Sequence, residues 1–368
     1  MQKYNVAVVG ATGLVGQTFL KVLKERNFPI DKLYLYASAR SAGKKVEFDG
    51  KEYEIIELKD ENIKDDIEIA LFSAGGEASK VFAPKFSCKK AIVVDNSSAW
   101  RMDKNVPLVV PEANPEDVEK HLGIIANPNC STIQVMPVLS VLDKLYGLKR
   151  VVYSTYQAVA GSGQKGIDDL NANLEGKPST NYPHQIAFNV LPHIDVFLDN
   201  GYTKEEIKMV EETRKILGKP DLRVTATCVR VPVMMGHAVS VNVELEKAFE
   251  LEDVIKAFEE KDGVIVMNNS KNNEYPMPID AAGKDEVFVG RIRRDESIDN
   301  GLNLWVVADN IRKGAATNTI QIAEEMIKRD IEIALKNFKR VTINIFVDNG
   351  TSIKRDENLV KWFRKEFK

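Results

Sequence analysis

The chain has 368 residues, 44% hydrophobic and 29% charged, which is ordinary for a globular protein and long enough for two domains. Its 51 basic and 54 acidic residues leave a net charge of −3, so nothing general draws it to nucleic acid or an anionic membrane. No apolar run approaches the roughly 18 residues of a membrane span, and the three cysteines, Cys88, Cys130 and Cys228, are odd in number and widely spaced, which argues for a reducing, cytoplasmic compartment and against disulfides.

The four histidines, His121, His184, His193 and His237, are too scattered to suggest a metal cluster, so no metal is expected. The start, Met1-Gln2-Lys3-Tyr4, runs almost at once into a strand, and no signal peptide is expected. That strand, Tyr4 to Val9, leads into Gly10-Ala11-Thr12-Gly13-Leu14-Val15-Gly16 and a helical pattern to about Glu25. Strand, glycine turn and helix together suit a pyrophosphate at the helix N-terminus. The spacing is G-x-x-G-x-x-G, not the usual dinucleotide fingerprint, and a tight turn without a ligand stays open.

A second strand, Leu33 to Ala37, points to the ribose end of such a site. The loop after it, Ser38-Ala-Arg40-Ser41-Ala-Gly43-Lys44, offers two cations, hydroxyls and no acid. An NAD site usually places Asp or Glu there, whereas a guanidinium fits a 2′-phosphate, so NADP is expected. A solvated surface loop is the alternative. Ile67 to Phe72 is the next strand, followed by the small-residue turn Ser73-Ala74-Gly75-Gly76. Ala91 to Val94 is followed by Asn96, Ser98 and Arg101, donors suited to an anion, although Arg101 could equally form a surface salt bridge. Val109 to Ala113 and Gly123 to Ala126 read as the last strands of this half.

Asn127-Pro128-Asn129 is turn chemistry before a mostly apolar helix from Ser131 to Tyr146. Cys130 thus falls at a helix N-terminus, where unpaired N–H groups and the dipole lower a thiol pKa. A nucleophile and a buried structural cysteine are both open on position alone. Beyond Gly147, Val151 to Val159 reads as a long strand, then come Gly161-Ser162-Gly163 and a helix to about Leu174. Thr203 and Glu206 have capping-box spacing and open a charged helix to about Leu217. Arg223 to Val231, His237 to Leu245, Val264 to Met267, Val287 to Arg294 and Leu302 to Ala308 read as strands, and Asn310 to Arg329 as a helix that could return to the first half. In the last stretch, Val341 to Val347 reads as a strand and Glu357 to Phe367 as an amphipathic helix; residues 331–368 carry nine basic and five acidic side chains.

The expected class is α/β. A doubly wound, mainly parallel dinucleotide-binding (Rossmann) domain would span residues 1–128, completed by a helix at about 314–330. An α+β domain with a mixed sheet would span 129–313, and 331–368 would be an extension of unknown role.

Eight segments in order resemble aspartate-β-semialdehyde dehydrogenase: those at Gly10–Gly16, Ser38–Gly43, Asp95–Arg101, Asn127–Thr132, Tyr156–Gly161, Glu205–Lys208, Arg230–His237 and Asp309–Gly314. Each is weak alone; together they are very specific, and they cover about Tyr4 to Asp330. The cationic loop and the length are similar to the branch typified by Gram-positive bacteria. The resemblance implies a homodimer, possibly a tetramer, in the aspartate pathway to lysine, threonine and methionine. It implies that Cys130 is the nucleophile, passing through a thiohemiacetal and a thioester, and that phosphate then releases aspartyl phosphate. His237 would be the acid/base, although a packed strand histidine is the plainer reading of the sequence alone. Gln157 would orient the substrate and Arg230 would bind its α-carboxylate. Arg101 and Lys208 would bind phosphate beside Glu205; a plain surface pair is the alternative for Glu205 and Lys208. Asn129 and the Cys130 N–H would contact the oxyanion. The glycine turn Gly10 to Gly16, Ser38, Arg40, Ser41, Ser73, Ala74, Gly75, Gly161, Ser162, Gly163 and Asn310 would hold NADP. N-acetyl-γ-glutamyl-phosphate reductase is the nearest rival and glyceraldehyde-3-phosphate dehydrogenase a distant one. A nucleotide-binding sensor with a structural Cys130 is the non-enzyme alternative.

Overall fold

The computed structural model describes residues 2–329. The strand and helix expected within 331–368 lie outside the described residues. Two sheets organise the molecule.

The first has seven strands in the order β3-β4-β2-β1-β5-β6-β7: β1 (Tyr4–Val9), β2 (Ile30–Ala37), β3 (Lys45–Phe48), β4 (Lys51–Glu57), β5 (Ile69–Phe72), β6 (Ile92–Asp95) and β7 (Ile124–Ala126). All neighbours pair parallel except the β3–β4 hairpin. The central strands are apolar on both faces because helices cover both. Val6, Val8, Leu35 and Leu71 pack under α1 (Leu14–Glu25), while Ala7, Val9, Tyr36 and Phe72 share the opposite core with Phe86 of α2 (Gly76–Cys88). Cys88 is thus the last residue of a helix.

Two differences from expectation have local causes. Val109 to Ala113 is not a strand; Leu108 makes one isolated bridge to Ala126, because Pro107 just before the segment and Pro111 within it cannot donate to a ladder. The β3–β4 hairpin turns on Asp49-Gly50, both at positive φ (49° and 74°), the Asp-Gly pair that a two-residue hairpin favours.

The second sheet is mixed and has the order β11-β12-β13-β10-β8-β9. Its strands are β8 (Leu148–Gln157), β9 (Arg223–Arg230), β10 (His237–Leu245), β11 (Val264–Val266), β12 (Val287–Asp295) and β13 (Gly301–Ala308). β8 ends two residues earlier than expected, since Val159 belongs to a 3₁₀ turn, Val159–Ser162. α3 (Cys130–Tyr146) lies between the sheets, and its Ile133, Val135, Met136, Val138, Leu139 and Leu142 share one core with Ala126 and with Val151, Tyr153 and Val239. α4 (Gln164–Leu174), α5 (Lys204–Ile216), α6 (Leu251–Glu259) and the short α7 (Pro278–Ala281) complete this half.

The chain then returns. The expected helix from Asn310 is in two parts, a π-helical turn over Arg312–Thr317 and an α-helix, α8, over 318–329. Ala316, Ile320, Ile322, Ala323 and Met326 join Val6, Val8 and Phe19 in the core beneath α1.

Candidate active site

A cavity of 530 Å³ opens between the two sheets. The turn after β7 delivers the thiol to it. Asn129 caps α3, its Oδ1 accepting the Ser131 N–H at 2.9 Å, so Cys130 is the first helical residue. Across the cavity, β8 and β9 run parallel with Gln157 paired to Arg230, and β10 starts antiparallel beside β8 at His237. Two strand ends and one strand start therefore bring Gln157, Arg230 and His237 together.

α5 supplies the carboxylates. Thr203 and Glu206 form the expected capping box, at 3.3 Å and 2.7 Å, which fixes the start of the helix. Glu205 is buried, not a surface partner. Its Oε1 accepts from Asn129 Nδ2 at 2.8 Å and Gln157 Nε2 at 3.0 Å, and its Oε2 pairs with Lys208 at 3.1 Å. Lys208 also reaches Asp195 at 2.8 Å. Burial opposes the Glu205 charge, but Lys208, Asn129 and Gln157 outweigh it and hold the carboxyl below its usual range. Burial likewise opposes charge on Lys208, and Glu205 and Asp195 overcome it, raising its pKa.

Arg101 is inside rather than on a surface. Its Nε donates to Asn127 O at 3.0 Å, its Nη2 to Asn96 O at 3.0 Å and its Nη1 to Glu212 at 3.1 Å. Arg230 Nη1 donates to Ala158 O at 2.8 Å, and its buried Nε has no partner.

His237 is fully buried and does not line the cavity; it lies behind Gly161, where a methyl group would come within 3.2 Å of its Nε2 and 2.9 Å of Arg230 Nη1. Its Nδ1 accepts the Ala158 N–H at 2.9 Å, so the proton of the neutral ring is on Nε2, which has no partner. Burial and then Arg230 hold its pKa well below the ordinary value, so the ring is neutral at pH 7.

The expectation for the Cys130 thiol is corrected here. Burial, and next Glu205, push it up to about 11, and Arg101 and Arg230 only partly offset this. Part of the residue faces the cavity, and solvent there tempers the effect. His237 is not among the groups that dominate its ionisation.

The glycine turn fits a dinucleotide, but its members divide. Gly13, Leu14 and Val15 line the cavity with Ser73, Gly161, Gly163 and Asn310. Gly10 and Gly16 are structural: an added Cβ would meet Ser73 O at 2.3 Å and Gly10 O at 2.1 Å respectively. Ala11, Thr12, Ala74, Gly75 and Ser162 do not line it; Thr12 Oγ1 reaches Ser41 Oγ at 3.4 Å and Ser162 Oγ accepts from Tyr182 at 3.1 Å. Asn310 is buried, its Oδ1 accepts the Gly236 N–H at 2.9 Å, and its Nδ2 is without a protein partner. The loop after β2 is a 3₁₀ turn, Ala39–Ser41, with Ser38 and Arg40 exposed and Ser41 buried. The Arg40 side chain has no ion pair among the described residues.

Sequence reasoning passed over Glu212, Asp195 and Gly314. Glu212 stands seven residues after Glu205, on the same helix face, but is masked by the charges around it. Gly314 sits against Cys130; an added Cβ would lie 2.9 Å from Cys130 Cβ. Among the described residues no group of His, Cys, Asp and Glu could hold a metal, and no helix is long and apolar enough to cross a membrane.

Comparison with known proteins bears directly on this cavity. The family described as semialdehyde dehydrogenase, NAD binding domain, matches residues 5–121, and semialdehyde dehydrogenase, dimerisation domain, matches residues 139–313. The chain is 59% identical over 337 residues to the aspartate-semialdehyde dehydrogenase of Aquifex aeolicus (strain VF5), covering 89% of this chain and 99% of that one. It is 50% identical over 341 residues to that of Bacillus subtilis (strain 168), covering 89% and 98%. Among solved structures, aspartate semialdehyde dehydrogenase II of Vibrio cholerae complexed with ASA has a TM-score of 0.86 at 48% identity, covering 89% and 99%. The enzyme of Candida albicans with NADP has a TM-score of 0.72 at 26% identity, covering 90% and 100%. A Gram-positive branch is not singled out, since relatives from Bacillus subtilis and Vibrio cholerae are 50% and 48% identical.

Proposed function

The chain belongs to the aspartate-semialdehyde dehydrogenase family, and on that premise we propose that it works through a thioester on Cys130. The reaction is the NADP-dependent, phosphorylating interconversion of L-aspartate 4-semialdehyde and 4-aspartyl phosphate, in the aspartate pathway to lysine, threonine and methionine. Biosynthetic flux runs towards the semialdehyde. One observation carries the thioester reading: a thiol at a helix N-terminus shares its cavity with two arginines and a lysine–carboxylate cluster.

In the oxidative direction the Cys130 thiolate adds to the aldehyde carbon and forms a thiohemiacetal. Gly13 to Val15, Ser73, Gly161, Gly163 and Asn310 would hold the dinucleotide, whose oxidised form would accept a hydride; loss of that hydride from the thiohemiacetal carbon leaves an acyl thioester on Sγ. A phosphate oxygen then bonds to the acyl carbon, the C–S bond breaks, and the thiolate returns with its electron pair.

The other roles follow from unused bonding capacity. Arg230 has a buried Nε–H to spare for the substrate α-carboxylate. Gln157 and Asn129 each give one amide N–H to Glu205 and keep one for the substrate or its oxyanion. His237 is the acid/base: its neutral ring can only donate a hydrogen bond from Nε2–H to an oxygen that gains charge, and to carry the second proton that an acid transfers it must give up the Ala158 N–H. Arg101 and Lys208 bind phosphate. Arg40, without an ion pair among the described residues and with no acid in its loop, reads the 2′-phosphate.

We assign residues 1–128 with the returning α8 to dinucleotide binding and 129–313 to catalysis and dimerisation. The second sheet packs one face on α3; on the other, Ala281 of α7 covers Ala238, Phe288 and Val307, and Tyr156, 40% exposed, lies beside them in ring contact with Trp305 at 5.3 Å. We place a second copy against that face, as a homodimer, in the cytoplasm.

The test is a substrate panel. NADP should be reduced with aspartate semialdehyde and phosphate, and not when phosphate is left out. Preferential use of the N-acetylated glutamate semialdehyde would transfer the chain to the rival reductase.

A further inference from the structure

We propose that Glu212 is a positioning residue: one buried carboxylate sets both the phosphate-reading Arg101 and the turn that carries Cys130. The proposal rests on the assignment of Arg101 to phosphate made above.

Glu212 projects inward from α5 and its side chain is 1% exposed. Its oxygens go to two different segments. Oε1 accepts Arg101 Nη1–H at 3.1 Å, from the loop after β6. Oε2 accepts the backbone N–H of Asn129 at 2.6 Å, from the turn after β7. Burying a carboxylate this deeply is costly unless each oxygen finds a donor. Burial outweighs Arg101 and the Asn129 N–H, with repulsion from Glu205 added, so the Glu212 carboxyl lies above its ordinary range.

The consequence for Arg101 is an inventory of donors. Of the five guanidinium N–H groups, three are committed, to Asn127 O, Asn96 O and Glu212. One N–H remains on each terminal nitrogen of a side chain that lines the cavity. Glu212 is the only charged member of this set. The two carbonyls limit the tilt of the fork, and Glu212 fixes which N–H groups are left for an anion.

The consequence for Cys130 passes through Asn129. Glu205 holds the Asn129 side chain and Glu212 its backbone N–H, so α5 grips the residue before the nucleophile at two points. If the lower grip is released, the cap of α3 shifts and Sγ moves with it. No bond to Glu212 forms or breaks during the reaction.

The full-length parent would be compared with Arg101→Ala, Glu212→Gln, Glu212→Asp and the Arg101→Ala/Glu212→Gln double variant. Three readouts are needed: KM for inorganic phosphate, the rate at which iodoacetamide alkylates Cys130, and NADPH affinity by fluorescence. Glutamine has one acceptor oxygen, so its amide N–H faces either the Arg101 or the Asn129 donor. Glu212→Gln should raise the phosphate KM about tenfold, the size of one lost charge-assisted contact, and leave NADPH affinity within about twofold. Alkylation should change by about threefold or more, because the thiol moves. In the Arg101→Ala background the same substitution should add under about twofold to the phosphate KM, since it acts through the guanidinium, yet still change alkylation. Should the glutamine variant not fold, Glu212→Asp keeps the charge, retracts it by one methylene, and should raise the phosphate KM by a smaller factor. If Arg101→Ala raises the phosphate KM while both Glu212 variants keep the parent's, this proposal is overturned and the Arg101 assignment survives. If Arg101→Ala itself changes nothing, both fall.

Discussion

At Cys130 two physical effects oppose each other. The end of α3 favours a thiolate, worth about 0.3–1 kcal/mol when exposed and more when partly buried, while burial and Glu205 push the thiol to about 11. For an acid with a raised pKa the reactive anion is the scarce species, and its share grows as pH rises. Alkylation of Cys130 in the ligand-free protein should therefore keep climbing from about pH 7 to 10, without levelling near the ordinary thiol value of about 8.5. A plateau at or below that value would mean that the helix end and the two arginines outweigh burial. Arg40 gives a second prediction at this scale. Arg40→Ala should raise KM for NADP about 10- to 150-fold, which corresponds to the roughly 1.5–3 kcal/mol of a charge-assisted bond, and change KM for NAD much less. Equal effects on both would show that the loop does not read a 2′-phosphate.

The elements of this chain were legible where one local rule governed them. The capping box at Thr203, the strand–glycine turn–helix at Tyr4 to Glu25 and the apolar helix behind Cys130 each rest on neighbours in sequence. Legibility ended where distant contacts decide. Val109 to Ala113 starts apolar like a strand, but Pro107 before it and Pro111 within it deny it a ladder. Charge around Glu212 conceals its inward direction, which only the packing of α5 reveals. The burial that raises the Cys130 pKa is equally absent from a one-dimensional reading. The π-helical turn Arg312–Thr317 is another such case, since what holds it is far away. Lys313, 1% exposed, is bound there by Glu112 at 2.7 Å and by Gln321 at 2.7 Å. The turn presses Gly314 against Cys130, and a methyl group at 314 would stand 2.9 Å from Cys130 Cβ. Gly314→Ala should cut kcat by about tenfold or more through displaced thiol geometry, with the thermal midpoint lowered only a few degrees. A variant with parent kcat would show that the turn can yield without moving the Cys130 thiol.

For the molecule as a whole, the two sheets meet along α3, and the cavity lies where their ends converge. The residues that line the cavity come from separate segments, so each proposed contact should be open to weakening alone, whereas Cys130 should not be replaceable. Cys130→Ser keeps size and hydrogen bonding but exchanges a thiol for a far weaker nucleophile. That variant should stay folded, bind NADPH and lose nearly all turnover, while Cys88→Ser, at the end of α2, and Cys228→Ser, within β9, should keep most of theirs. The most direct test is intact-protein and peptide mass spectrometry after mixing the protein with aspartyl phosphate in the absence of NADPH. An aspartyl adduct on Cys130, lost on adding NADPH and absent from Cys130→Ser, is the result expected. An unmodified Cys130, together with normal turnover in the serine variant, would contradict the thioester mechanism.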